Sequence, residues 1–120
     1  MSEGVTEVRG LIYTVDYEFR PGRVRIEGDR IAEVTFCTEG ELSEAERDTL
    51  VLPGLVDVHF HGAAGYDFCD GTKEAFHAIE TYENRHGITS ICPATMTLPV
   101  EELKRILTEV SEDKLDSLVG

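Results

Sequence analysis

Residues 50–61, Leu-Val-Leu-Pro-Gly-Leu-Val-Asp-Val-His-Phe-His, constrain the fold of this chain more than any other stretch. They read as an apolar strand entered through Pro53-Gly54 and followed by a loop containing Gly62, Gly65 and Gly71. In a strand, side chains at i and i+2 share a face, about 6.8 Å apart. Asp57, His59 and His61 therefore project together, and Val56, Val58 and Phe60 project the other way. One face is apolar enough to lie beneath helices. The other carries two imidazoles at the C-terminal end of the strand, with a carboxylate behind them.

The segments on either side suit a mixed α/β chain. Residues 11–15 are β-rich, Pro21-Gly22 punctuates them, and residues 24–34 alternate in hydropathy around Gly28-Asp29, which predicts a hairpin. Residues 39–48 are polar and acidic, a loop or a surface helix. After the glycine loop, Thr72 can cap a helix running to about His86, with Ala75, Phe76, Ile79 and Tyr82 on one side and Gly87 at its C′ position. Residues 88–95 read as a second strand. Pro99 then opens a second helix, with Glu101 and Glu102 in its first turn and a stripe of Leu103, Ile106, Leu107 and Val110. The order β-loop-α-β-α is the opening of a parallel-sheet or barrel architecture.

Acidic residues outnumber basic ones 24 to 11, for a formal net charge of -13. That charge disfavours nucleic acid and anionic membranes as partners. No run of about 18 apolar residues is present to span a bilayer, and residues 1–7 show neither the basic region nor the apolar run of a signal peptide. Cys37, Cys69 and Cys92 are odd in number and widely spaced, which fits reduced packing thiols and a cytoplasmic setting.

Neutral imidazole is a good ligand for zinc and similar metals, and two on one face can grip one ion without distorting the backbone. An isolated His-x-His is more often a pair of ordinary strand histidines. Here the apolar strand, the strand-end position and the glycine loop favour His59 and His61 as metal ligands, because buried imidazoles without a partner are costly. Asp57 could orient a histidine from behind or satisfy groups of a barrel floor. Asp67 and Asp70 are candidate substrate contacts, although aspartates are also common turn residues. His77 reads as solvent-facing, His86 as a helix-end cap, and Thr95 and Thr97 as pocket lining or local hydrogen-bonding residues.

Residues 51–62 resemble the first barrel strand of the amidohydrolase superfamily. The Gly-Tyr-Asp-Phe of residues 65–68, Asp70-Gly71 and residues 86–99 resemble the N-acetylglucosamine-6-phosphate deacetylase family. The resemblance implies the N-terminal part of a (β/α)8 barrel: residues 1–50 as strands of a small β-sandwich and residues 51–120 as the first two βα units. It further implies a metal-activated water that hydrolyses the acetamide of an amino-sugar phosphate, with zinc, or iron, cobalt or manganese, as cofactor, in a homo-oligomer. A dihydroorotase- or hydantoinase-like cyclic amidase, or a non-catalytic oligomerising or metal-binding module, are the alternatives. A complete barrel needs about 250 residues, and the family's glutamate ligand, further histidines, catalytic aspartate and phosphate-binding residues have no counterpart here. The 120-residue chain is therefore expected to be an incomplete piece, inactive alone, whose second strand presents an open edge prone to self-association.

Overall fold

A computed structural model of the chain describes residues 4–119 and divides into two compact units, one ending at Pro53 and the other beginning at Gly54. In the first unit, β1 (Val5–Tyr13), β2 (Phe19–Glu27) and β3 (Arg30–Phe36) form an antiparallel meander, and β4 (Leu50–Val51) joins it parallel to β1, giving the order β3-β2-β1-β4. Val8, Val24 and Val34 face one another across the three strands, and the alternate positions carry the ion pairs of Arg23 with Glu7 and Arg25 with Glu33. Each such exposed pair stabilises the sheet by less than about 1 kcal/mol, so the apolar row does more to set the register. Residues 39–48 hold a 3-10 turn and the short helix α1 (Glu44–Arg47). Two capping boxes fold this stretch: Glu41 reaches back to Thr38 and Glu46 to Ser43, and those hydrogen bonds hold both carboxyls below the usual carboxylate range.

Pro21-Gly22 is not a turn. Both lie inside β2, opposite Leu11 and Gly10 of β1. The Pro21 carbonyl accepts from the Cys37 amide, so the proline's missing N–H faces the same side, just beyond the last residue of β3. The proline forfeits the reciprocal bond to the Cys37 carbonyl, and is tolerated because that bond lies at the end of the β2–β3 ladder.

The second unit contains β5 (Leu55–Phe60), a hairpin of β6 (Gly62–Ala63) and β7 (Tyr66–Asp67), α2 (Lys73–Arg85), β8 (Ile88–Pro93) and α3 (Val100–Asp113). β5 and β8 pair in parallel. The single strand expected over residues 50–61 is thus two strands in two units, broken at Pro53. The signals around α2 act as read: the Thr72 hydroxyl accepts from the Ala75 amide, and Gly87 follows the helix with φ of +80°, a conformation glycine adopts at least cost. Replacing Thr72 with alanine is expected to destabilise this unit by about 1 kcal/mol, seen as a fall of about 4–8 °C in its melting temperature by calorimetry.

Phe68, Phe76, Ile79, Ile106, Val110 and Leu115 form the core of this unit, with Phe60, Ala63, Tyr66 and Leu118 packed against it. Two expected core positions are exposed: Tyr82 stacks on His86, and Leu107 is 56% exposed on α3. Glu83 is buried in the position that the α2 stripe assigns to an apolar side chain. The expected apolar underside of β5 is also uncovered, with Val56 57% and Val58 73% exposed. α2 packs instead on β8 and the β6–β7 hairpin, so only Phe60 of that face reaches the core.

The edge of β8 away from β5 is not open at Ile91. Its amide donates to the Ser117 carbonyl, and its carbonyl accepts from the Val119 amide, so residues 117–119 run alongside it as a parallel bridge. Two polar side chains of α2 hold that segment: Glu80 accepts from the Ser117 amide at 2.8 Å and Asn84 from its hydroxyl at 3.1 Å. Among the described residues, the unpaired edge of this sheet belongs to β5.

Candidate metal centre

His59 lies near the C-terminal end of β5 and His61 directly follows it. Their ring centroids are 5.1 Å apart with planes at 83°, which places both rings on one side of the strand, opposite Phe60. His61 is half-buried and its Nδ1 lies 2.8 Å from the Ala94 carbonyl oxygen. A carbonyl can only accept, so this bond puts the ring proton on Nδ1 and leaves the lone pair of Nε2 free. A ring held in that tautomer by a backbone carbonyl is prepared to bind a metal through Nε2. His59 is exposed. Burial therefore does not compel it to find a partner in this chain, contrary to the desolvation argument from sequence.

The strand ends are tied together by backbone. The Ala94 amide donates to the Phe60 carbonyl at 2.8 Å, and the Phe68 amide to the His61 carbonyl at 2.7 Å. Parallel pairing brings the ends of β5 and β8 to the same edge of the sheet, where a crossover topology collects functional groups. Asp57 contacts neither imidazole through a hydrogen bond; its Oδ1 accepts from the His59 amide at 3.1 Å. It braces the strand, and the Ala94 carbonyl does the orienting that Asp57 was a candidate for. Nothing in the sequence marks Ala94, since every residue carries a carbonyl.

Asp67 and Asp70 are occupied by their own loop. Asp67 accepts from the Cys69 amide at 2.7 Å, and Asp70 from the Asp67 amide at 3.0 Å, closing a capping box around the turn of residues 68–70. Tyr66 donates to Glu74 at 2.8 Å, and that bond holds its phenol above the ordinary tyrosine range. The tyrosine is therefore a protonated anchor between the loop and α2. Gly62 is required by the hairpin itself: a Cβ there would collide with the Tyr66 carbonyl. The loop's composition is largely explained by its own folding.

His77 is exposed but not isolated, with Nε2 3.1 Å from the buried Asp113 carboxylate of α3. His86 caps α2 as expected, its Nδ1 2.8 Å from the Tyr82 carbonyl. Thr95 is half-buried and Thr97 exposed. Among the described residues, no group of three or more His, Cys, Asp or Glu side chains is arranged to hold a metal ion. The donors assembled here are two.

No protein-family model matches the chain. N-acetylglucosamine-6-phosphate deacetylase of Vibrio furnissii is 33% identical over 70 residues, 58% of this chain and 18% of the relative. N-acetylgalactosamine-6-phosphate deacetylase of Escherichia coli O157:H7 is 31% identical over 72 residues, 59% of this chain and 19% of the relative. Among solved structures, the deacetylase of Pasteurella multocida superposes with a TM-score of 0.72 at 19% identity, covering 92% of this chain and 30% of that one. A Mycobacterium smegmatis deacetylase mutant in complex with N-acetyl-D-glucosamine-6-phosphate gives 0.72 at 22% identity, covering 91% and 29%.

The chain resembles the N-terminal portion of N-acetylglucosamine-6-phosphate deacetylases.

It spans about a fifth of the length of the curated relatives it matches, 18% and 19% for the two above. Its fold is the mixed α/β fold of the corresponding part of the solved deacetylases. No helix among the described residues is long and apolar enough to cross a membrane.

Proposed function

We propose that this chain is the opening part of a cytoplasmic, metal-dependent amidohydrolase that removes acetate from an N-acetylated amino-sugar 6-phosphate. In this reading the first unit contributes strands to a small β-sandwich, and the second supplies the first two βα units of a (β/α)8 barrel. The observation that carries it is the pair His59 and His61 at the end of a parallel strand, with His61 Nδ1 bound to the Ala94 carbonyl so that Nε2 keeps its lone pair. The donor set fits a divalent ion: two neutral nitrogens on one face, of the kind that zinc accepts and that iron, cobalt or manganese also use.

A divalent metal held there would supply Lewis-acid polarisation of the acetamide carbonyl and a more acidic water. His59 and His61 would contribute two nitrogen ligands. Ala94 keeps the His61 ring from turning, its amide ties the ends of β5 and β8 together, and the Phe68 amide ties His61 to the turn of residues 68–70. Two ligands leave a four-coordinate site half made, and no described residue stands as general base. The remaining ligands, the proton-transfer group and the phosphate contacts must come from beyond these 120 residues. The relatives' names include both the glucosamine and galactosamine sugars, so the proposed substrate class is N-acetylhexosamine 6-phosphate.

The 120-residue polypeptide by itself, loaded with zinc, is expected to release no acetate from N-acetylglucosamine 6-phosphate. The native polypeptide that carries this sequence is expected to release it, with the activity lost on replacing both histidines. Acetate release by the 120 residues alone would show that the proposed division of ligands is wrong. Turnover of dihydroorotate or a hydantoin in place of the sugar phosphate would favour a cyclic amidase. The 120 residues alone are expected to self-associate through the unpaired edge of β5 and the exposed Val56 and Val58, surfaces that a closed barrel would cover.

A further inference from the structure

We propose that Cys69 is a positioning residue for His61, holding in place the turn whose carbonyl fixes the imidazole; the metal-binding consequence of this rests on the function proposed above. The Met96 amide donates to the Cys69 sulfur at 3.1 Å, linking the loop after β5 to the loop after β8. Ala94, two residues before Met96, supplies the carbonyl that orients His61. The two bonds bracket a three-residue turn.

Both ends of this clamp are anchored. Cys69 sits in the turn closed by Asp67 and Asp70, and its own amide is bound by Asp67 at 2.7 Å. It is half-buried and packs against the cluster that contains Phe68 and Phe76. Leu98 packs against the same core, and Ala94 is bound to Phe60, but among the described residues the Met96 amide makes the one hydrogen bond from residues 95–98 to the rest of the chain. Sulfur is a weak acceptor, but its position is set by the capped turn, so the amide meets it without ordering a flexible side chain. Loss of this tether frees the Ala94 peptide to rotate. The His61 ring then loses its single fixed acceptor and samples both tautomers, only one of which leaves Nε2 available.

The test reads the ring itself, without metal, by long-range proton–nitrogen NMR on Cys69→Ala and Cys69→Ser. In the wild-type chain His61 is expected as the Nδ1–H tautomer. Cys69→Ala is expected to mix the two tautomers while His59 and the core resonances stay in place. Cys69→Ser, which retains an acceptor, is expected to restore the Nδ1–H form. Zinc titration is the second arm: Cys69→Ala is expected to weaken binding by about tenfold, the lower end of the range for groups behind a metal ligand. An unchanged His61 tautomer in a folded Cys69→Ala chain overturns the positioning role, whatever zinc does. Absence of zinc binding by the wild type, with the tautomer shift present, overturns the metal reading alone. Should Cys69→Ala fail to fold, wild-type hydrogen exchange decides. A protected Met96 amide supports the clamp, and exchange at the free-peptide rate overturns it.

Discussion

Replacing His59 and His61 together by alanine is expected to bring zinc binding by this chain to background, measured by calorimetric titration and by metal content after dialysis. Loss of a group that merely orients a ligand costs about 10–100-fold in affinity, so loss of both ligands should cost more than that. The single replacements are expected to differ. His61 is held by Ala94 in the tautomer that frees Nε2, whereas His59 is exposed and pays more side-chain entropy on binding. His61→Ala should therefore be the more damaging of the two. Binding should also weaken as pH falls, because protonation of an imidazole removes the lone pair that the metal uses. Equal metal content in wild type and double variant would remove the ligand assignment, and with it the basis of the proposed chemistry.

Phe76→Ala is expected to unfold the second unit at 25 °C. Phe76 is 0% exposed, its ring centroid lies 4.9 Å from that of Phe68, and it stands in the one cluster shared by α2, α3 and the segment after α3. Truncating a buried phenylalanine costs about 3–5 kcal/mol. A core built from so few residues rarely supplies more than about 3–5 kcal/mol of net stability. The variant should lose the cooperative urea transition reported by resonances from residues 54–119, while Phe76→Leu, which keeps most of the volume, should retain it at lower urea. A full transition in Phe76→Ala would mean that this cluster does not hold the unit together.

Local chemistry made much of the second unit readable. Thr72, Gly87 and Pro99 mark helix boundaries through groups that act within a few residues: a hydroxyl that accepts an amide, a glycine that tolerates positive φ, a proline whose missing N–H costs nothing at a helix start. Predictions that needed a distant partner did worse. Residues 50–61 read as one strand, yet Leu50 and Val51 pair with Leu11 and Ile12, and a hydropathy pattern cannot report which strand lies alongside. Tyr82 and Leu107 fit helical stripes but lie outside the core, because the stripe fixes a face and not how much of that face a neighbour covers. Asp67 and Asp70 suited a substrate as well as a turn by composition; only the fold shows their oxygens already bound to backbone amides.

For the histidine pair the two levels separate cleanly. Sequence alone determined that His59 and His61 share a face, because a strand alternates its side chains whatever surrounds it. Tertiary structure decided that His61 presents Nε2, that Ala94 and not Asp57 holds it, and that Cys69 reaches Met96. Those contacts join residues 27 to 33 positions apart through the register of parallel strands. Such register arises from packing across the whole unit, and a backbone carbonyl leaves no trace in the identity of the residue that carries it.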